Sequence, residues 1–260
     1  MAEILDIKQE RKKAVRRACS LVAGYWRVVH RAADGRVLDE EFGHNLFHDE
    51  GEELLAKQYT GELTWPTTFY VGADDRSGNS YSITGVTSGD EGSFVVSGDV
   101  TAECTAGEPL RVTGSTGNDG VYTILSASYD STNDETTITV EGNVPDGTAD
   151  GTLTLFLVTE ADTLADLVGE PGGTNGYSRQ AADTGTTDWS ASQVSGDWQA
   201  KTATLTITAS GGSIGPLNTV FLCTSSDNTG RLLQTLAMAT EKTLADGEGL
   251  DLTTYVRFSE

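Results

Sequence analysis

Cysteine is scarce in this chain, and long apolar runs are missing from it. The three cysteines, Cys19, Cys104 and Cys223, lie far apart and are odd in number, so the sequence encodes neither a disulfide framework nor a CxxC metal site. No stretch approaches the roughly 18 uninterrupted apolar residues that a membrane helix requires. The apolar run Ala18 to Trp26 lacks a signal-peptide cleavage pattern. We therefore expect reduced, buried thiols in a protein that is neither secreted nor inserted in a membrane.

Basic residues are also few: 17 Lys and Arg stand against 39 Asp and Glu in 260 residues, a formal net charge of -22. Such acidity argues against a nucleic-acid reader, because phosphates would be repelled over most of the surface. The bases concentrate at the start, where residues 1–31 carry eight Lys and Arg and three acids. Residues Ile7 to Leu21 favour a short basic helix with one modest apolar stripe.

The predicted docking residues of this basic helix are Lys8, Arg11, Lys12, Lys13, Arg16 and Arg17. Three interpretations stay open at this point: a solvated helix packed on its own domain, a helix docked on an acidic partner, or a DNA contact.

Glycine, at 30 positions, and abundant threonine favour turns and β-branched strands over helices. The sequence predicts a hairpin of Tyr25–Arg31 and Arg36–Phe42 around Ala33-Asp34-Gly35. A helix is expected over Asn45–Gln58, which opens with acids, and a strand over Thr67–Gly72 follows Pro66.

Residues 80 to about 157 differ in composition, with twelve acids, no lysine and Arg111 as the single base. Short β-prone runs alternate there with Gly, Asp and Asn turns, at the spacing of small barrels and sandwiches. The predicted strands are Ser82–Val86, Phe94–Ser97, Leu110–Thr113, Val121–Ser128, Thr136–Glu141 and Leu153–Val158.

The sequence beyond this stretch is β-rich again, after a short helix expected over Ala161–Val168 with Thr159 as its cap. Its predicted strands are Trp198–Thr208, Leu217–Thr224, Leu232–Ala239 and Leu250–Phe258. We therefore expect a mainly β fold with a few short helices. Residues 1–79 and 158–260 would form a discontinuous, β-sandwich-like main domain, and residues 80–157 an inserted acidic module, either a small β-barrel or a sandwich.

Motifs for catalysis are incomplete. Gly211–Gly215 matches the GxSxG string around Ser213, but another strand follows where a nucleophile elbow needs a helix, and no histidine comes later in the chain. His44 and His48 have the i,i+4 spacing of zinc ligands, yet Asn45 occupies the position of the HExxH general base.

Ligand motifs are equally partial. Asp130, Thr132, Asp134 and Glu141 match a calcium loop that lacks its turn glycine, and a weak surface calcium site stays open. The glycine-rich runs 114–120 and 169–176 lack the lysine of a phosphate-binding loop. The aromatics Tyr177, Trp189 and Trp198 could stack on sugars, although packing is the default for such residues. We expect no enzyme activity, no cofactor and no bound metal.

Several short strings resemble a recurrent group of tailed-bacteriophage virion proteins. In the carboxy-terminal half they are 162–167, 176–180, Trp189, 203–210, 220–224, 230–233 and 242–248. Asn45, Phe47, Glu50 and Gly51, with 70–72, are similar to the amino-terminal half of that group. The strings 112–123, 136–140 and 145–148 resemble small β modules inserted into phage structural proteins.

The resemblance implies a virion structural component, assembled in the host bacterial cytoplasm, that oligomerises and docks on a capsid, connector or tail protein. It leaves open which part of the virion this is. The first alternative is an adhesion module of a phage tail that binds a host receptor or surface glycan, and the second is a hydrolase of the host envelope.

Overall fold

The computed structural model describes residues 22–75, 78–155, 161–167 and 169–258, and they form a two-sheet sandwich, a closed six-stranded barrel and a two-stranded sheet of Gly89–Asp90 with Asn143–Val144. The predicted mainly β fold, a sandwich with a barrel module, is confirmed. In chain order the strands are β1 (Val22–Arg31), β2 (Val37–His44), β3 (Leu46–Phe47), β4 (Thr68–Asp74), β5 (Ser80–Thr87), β6 (Gly89–Asp90), β7 (Ser93–Ser97), β8 (Pro109–Thr113), β9 (Gly120–Asp130), β10 (Glu135–Glu141), β11 (Asn143–Val144), β12 (Thr152–Leu155), β13 (Gln180–Asp183), β14 (Trp189–Val194), β15 (Asp197–Thr202), β16 (Leu205–Thr208), β17 (Ile214–Cys223), β18 (Leu232–Leu244) and β19 (Gly249–Phe258). One α-helix, α1 (Asp49–Thr60), and two 3-10 turns, Thr101–Glu103 and Leu164–Asp166, complete the elements described.

The sandwich consists of two antiparallel sheets that pack face to face. Sheet 1 has the order β14-β15-β19-β1-β2, with β16 also paired to β19, and sheet 2 has the order β13-β4-β17-β18-β3. Strand β1 alternates so that Trp26 and Val28 point inward, opposite Thr254 and Leu252 of β19 respectively, while Tyr25 and Arg27 point outward. The inward side chains of both sheets form one continuous apolar core.

Sheet 2 is covered on both faces, which explains the nearly continuous apolar sequence of β17 and β18. Its inner face joins the sandwich core, and its outer face carries Phe221, Cys223 and Leu232. Leu164 and Leu167, from the segment that follows the barrel, pack on this outer face and form a second small core with it.

Helix α1 packs on β18. Asp49, Glu50 and Glu52 lie in its first turn, where the helix dipole favours carboxylates, and Gly61 ends it with a left-handed φ of 75°. Gly51 permits the close packing, because a Cβ there would lie 2.8 Å from the carbonyl oxygen of Leu233. Leu54 and Leu55 consequently face the space between the two sheets.

The barrel closes in the order β10-β7-β5-β12-β8-β9, and its core is separate from that of the sandwich. Phe94, Ile124 and Ile138 are among its fully buried side chains. The strands by which the chain enters and leaves, β5 and β12, are antiparallel neighbours, and the Leu155 amide donates to the carbonyl of Asn79 at 2.9 Å. The two ends of this segment are therefore adjacent, as an inserted unit requires. The assignment of residues 80–157 as an independent domain stays a prediction.

Arg111, the single base of the acidic segment, lies where the barrel contacts the sandwich. Its Nη2 donates to the carbonyl of Asn218 on β17 at 3.1 Å, and the side chain is almost fully buried. Burial lowers the pKa of the guanidinium, while the nearby carboxylates of Glu41 and Glu241 oppose that shift. The only cation of the segment thus faces acidic groups of the sandwich.

Several element predictions need correction. Helix α1 begins at Asp49 rather than Asn45, because Leu46 and Phe47 pair with β18 as a short strand. The helix expected over 161–168 is wrong: a single 3-10 turn lies there, closed by a capping box between Thr163 and Asp166. The strand expected over Trp198–Thr208 is interrupted, and β15 and β16 pair separately with β19.

The hairpin of β1 and β2 is confirmed, whereas β13 and β14 were not anticipated. The predicted basic helix over Ile7–Leu21, with all six docking residues, lies outside the described residues. No helix in the described part of the chain is long and apolar enough to span a membrane.

Candidate interaction surfaces

The GxSxG string does not form a nucleophile elbow. Ser213 lies in the loop between β16 and β17, after Gly211 with a φ of 82°, and β17 begins at the next residue. The carbonyl of Ser213 accepts a hydrogen bond from Asn175 Nδ2 at 2.7 Å, which ties two surface loops together. Because a strand rather than a helix follows, no helix N-terminus stands behind the hydroxyl.

The two histidines with zinc-like spacing belong to different elements. His44 ends β2, whereas His48 is the N-cap of α1 and is completely buried. The Nε2 atom of His48 lies 3.0 Å from the hydroxyl of Thr235. The i,i+4 face on which the zinc interpretation depended is therefore absent.

The residues that match the calcium-loop pattern do not lie together in the structure. Asp130 and Glu141 lie at opposite ends of the β9–β10 ladder, because Glu135 pairs with Asp130 and Glu141 pairs with Thr123. The Asp130 carboxylate accepts hydrogen bonds from the Thr132 amide and the Asn133 side chain, which hold its pKa below the usual range. Across the residues that the structure describes, no group of three or more His, Cys, Asp or Glu is placed to hold a metal ion.

The glycine-rich loop 114–120 is occupied by carboxylates of the protein itself. The Ser115 amide donates to Asp119 at 2.7 Å, and the Thr116 amide donates to Asp150 at 3.1 Å. These amides are the groups that a phosphate would need. The amides of this loop are therefore already hydrogen-bonded to carboxylates of the same chain.

The cysteines that can be placed have the properties of structural thiols. Cys104 is half-buried in the barrel and Cys223 is buried in sheet 2, and both are unpaired. Burial raises the pKa of each thiol to about 11, so both are protonated at neutral pH and poorly nucleophilic. Cys19 lies outside the described residues.

A buried ion pair organises the loop between β17 and β18. The Arg179 guanidinium donates to Glu170 at 2.8 and 2.6 Å, to the carbonyls of Ser225 and Asp227, and to Asn228 Oδ1. Its charge also lies 5.2 Å from the centre of the Phe221 ring. These hydrogen bonds join the loop before β13 to the loop between β17 and β18, so this cluster is a structural clamp.

Of the three aromatics proposed to stack on sugars, two are structural. The Tyr177 hydroxyl donates to the Ala73 carbonyl and accepts from its amide, both at 2.9 Å, and Trp189 Nε1 donates to Ala182 at 3.2 Å. Trp198, on β15, is exposed.

Three aromatic rings lie together on the solvent side of sheet 1. Tyr25, Phe42 and Tyr255 form this aromatic surface, in which the Phe42 ring stacks on Tyr25 with centroids 5.7 Å apart and meets Tyr255 edge-on at 5.8 Å. Phe42 is 63% exposed. Val37 and Leu38, on the same strand as Phe42, are exposed as well.

Strand register explains this clustering. Tyr25 and Tyr255 are direct cross-strand partners on β1 and β19, and Phe42 on β2 is one diagonal step away. Neighbouring charges on this face pair with each other, as Arg27 does with Glu40 at 2.8 Å and Arg31 with Asp251 at 2.5 Å. Strand β2 pairs only with β1 in sheet 1, so the rings lie beside a sheet edge.

The second apolar feature is a cavity of about 280 Å³ between α1 and the two sheets, here named the sandwich cavity. All of its lining residues except Thr184 and Gln234 are apolar. The lining is Phe47, Gly51, Leu54, Leu55, Trp65, Phe69, Thr184, Trp189, Ala200, Leu222, Leu233, Gln234, Val256 and Phe258.

Comparison with known proteins finds no family model, no curated protein and no solved structure that matches this chain. The features that bear on its function are the aromatic surface, the sandwich cavity and the charge distribution.

Proposed function

We propose that this chain is a structural component of a tailed-phage virion that oligomerises and docks on a neighbouring capsid, connector or tail protein. The aromatic surface is the observation that carries the proposal. A 63% exposed phenylalanine that stacks on two tyrosines is an apolar patch of the kind that marks protein–protein contacts.

The aromatic surface has the features of an interface centre. Complete burial of one phenylalanine side chain stabilises an interface by about 1.5–3 kcal/mol, and aromatic residues are enriched where binding energy concentrates. The tyrosines beside Phe42 are already partly ordered by ring contacts, so docking would immobilise few further side chains.

The net charge of the chain indicates which groups the docking surface of a partner must carry. At -22, free copies repel one another, which keeps them soluble and opposes premature association. The docking partner must therefore offer an apolar recess for Phe42 together with basic groups that offset the repulsion. Such a preformed neighbour would also let further copies assemble beside it in the virion, after synthesis in the host bacterial cytoplasm.

The test is incorporation into particles. Purified virions are analysed by peptide mass spectrometry after complementation with the wild-type chain, with Phe42→Lys, or with the matched control Tyr59→Lys. Tyr59 lies on α1 and is 88% exposed, so the control introduces the same charge at a more exposed ring outside the aromatic surface. We expect Phe42→Lys to be folded but missing from particles, and Tyr59→Lys to be incorporated normally.

Equal incorporation of both variants, or absence of the wild-type chain from virions, would contradict the proposal. The adhesion alternative has its own signature, which is binding of the isolated chain to a host glycan or receptor, lost in Phe42→Lys while incorporation is unchanged. Turnover of an ester, peptide or polysaccharide that Ser213→Ala or a double replacement of His44 and His48 abolishes would restore the enzyme hypothesis.

A further inference from the structure

The wall of the sandwich cavity offers a ligand apolar contacts and no charge. Among the described residues that line it, none has an ionisable side chain. Its two polar side chains already have partners within the chain, because Gln234 Oε1 accepts from Thr254 at 3.0 Å and the Thr184 hydroxyl donates to the Thr67 carbonyl at 3.0 Å. A charged ligand would lose its hydration in the cavity without gaining a counter-charge. The wall therefore favours an uncharged, apolar ligand.

Part of this wall is held in place by contacts of the protein itself. The Phe69 ring centre lies 5.4 Å from that of Trp65 and 5.5 Å from that of Trp189. Trp189 is also fixed by the hydrogen bond from its Nε1 to the Ala182 carbonyl at 3.2 Å. Because these three rings are already ordered, a ligand that packs on them immobilises few side chains when it binds.

The size and the accessibility of the cavity define the ligand further. Trp65 and Phe258 line the cavity and are 38% and 40% exposed, so the cavity reaches the protein surface beside them. An engineered apolar cavity of about 150 Å³ admits benzene, and a cavity of about 280 Å³ has, by proportion, room for roughly eleven carbon atoms. A linear chain can enter such a cavity end-first and leave a polar terminus in water.

We propose that the sandwich cavity is a binding site for a neutral aliphatic chain of about ten carbon atoms, with an uncharged polar end beside Trp65 and Phe258. Anionic chains are disfavoured, because the protein carries a net charge of -22 and the wall supplies no cation. The site is distinct from the aromatic surface, which lies on the solvent side of sheet 1, so either proposal can fail without the other.

Primary n-alcohols of increasing length test this site in the isolated, full chain. The reporter is 10-bromo-1-decanol, whose bromine quenches tryptophan fluorescence on contact, and Trp65 and Trp189 both line the cavity. We expect saturable quenching that unbromated 1-decanol reverses. Across the alcohol series, affinity should rise about fourfold for each added methylene and level off near about ten carbons, where the cavity is full.

Two results of this titration would overturn the proposal. Quenching that does not saturate would mean that the probe binds no defined site. An affinity that keeps rising with alcohol length would mean partition into aggregates or onto the protein surface, since only an enclosed site limits the length of its ligand.

A pair of phenylalanine variants on β15 locates the site. Ala200 lines the cavity, and its neighbour Gln199 points to the opposite face of sheet 1. Ala200→Phe fills the cavity, so we expect it to weaken 1-decanol binding by about tenfold or more. The matched control, Gln199→Phe, should bind 1-decanol like the wild-type chain. Equal affinities of the two variants would place the alcohol elsewhere and overturn the proposal.

A third variant keeps the test decisive if Ala200→Phe does not fold. Leu55 is a half-buried residue of the cavity wall, and Leu55→Ala enlarges the cavity by removing three carbon atoms. We expect the alcohol length at which affinity levels off to increase by about two or three carbons. An unchanged length limit would contradict binding in the sandwich cavity.

Discussion

Replacement of Arg179 by methionine should destabilise the sandwich more than removal of any exposed ion pair. The Arg179 side chain is 4% exposed and that of Glu170 is 16% exposed, so the pair is shielded from solvent. Breaking a buried pair by removing one partner costs about 3–5 kcal/mol, because the remaining charge stays buried without its counter-ion. Exposed pairs are worth only about 0–1 kcal/mol.

Two further variants separate the contributions of charge and of hydrogen bonding to this loss of stability. Arg179→Lys keeps the charge, but an ammonium group cannot reach Glu170, Asn228 and the loop carbonyls together, so we expect an intermediate loss of about 1.5–3 kcal/mol. Arg179→Met combined with Glu170→Gln removes the orphaned carboxylate, and the glutamine stays within hydrogen-bond distance of the Tyr177 hydroxyl. The double variant should therefore be more stable than Arg179→Met alone.

Tryptophan fluorescence during urea unfolding is the appropriate assay. All four tryptophans, Trp26, Trp65, Trp189 and Trp198, belong to the sandwich, so the signal reports that structure and not the barrel. If Arg179→Met lowered the free energy of unfolding by less than about 1 kcal/mol, the Arg179–Glu170 pair would contribute no more than an exposed ion pair, and the reasoning from burial would be wrong. If the double variant were less stable than Arg179→Met, the unpaired Glu170 carboxylate would not be the cause of the lost stability.

Three other predictions follow from the same structure. Deleting residues 80–157 and joining the ends with a short Gly/Ser linker should leave a remainder that melts cooperatively, because Asn79 and Leu155 are adjacent; a molten or insoluble product would contradict the two-domain interpretation. Reversing Lys12, Lys13, Arg16 and Arg17 to Glu should remove the chain from virions without unfolding it, whereas Arg36→Glu, an exposed base of the β1–β2 turn, should not; normal incorporation of the fourfold variant would exclude the docking role. Hydrogen bonds from Thr229 and Ser225 lower the pKa of Asp227 to about 2, so its contribution to stability is present above about pH 4 and lost as the pH falls through 2; Asp227→Asn should flatten this part of the urea-unfolding profile, and an unchanged profile would refute the assignment.

Much of the fold could be predicted from local chemistry. The Asp34-Gly35 turn and its alternating flanks specify the β1–β2 hairpin, since a two-residue period shows which side chains share a face. The composition of residues 80–157 indicated a separate all-β segment, which proved to be a closed barrel. The 3-10 turn at Leu164 was mistaken for a helix because tertiary packing on sheet 2, which propensity does not describe, decides its form.

The interaction surfaces, by contrast, were decided by tertiary structure. Alternation places Tyr25, Phe42 and Tyr255 on outward faces, but it does not reveal that β19 is the neighbour of β1, and only that pairing brings Tyr255 beside rings some 200 residues away. The sandwich cavity likewise depends on how α1 and the two sheets meet, and the clamp around Arg179 depends on two loops meeting. Sequence periodicity specifies which face a side chain occupies, whereas long-range strand order determines what that face meets.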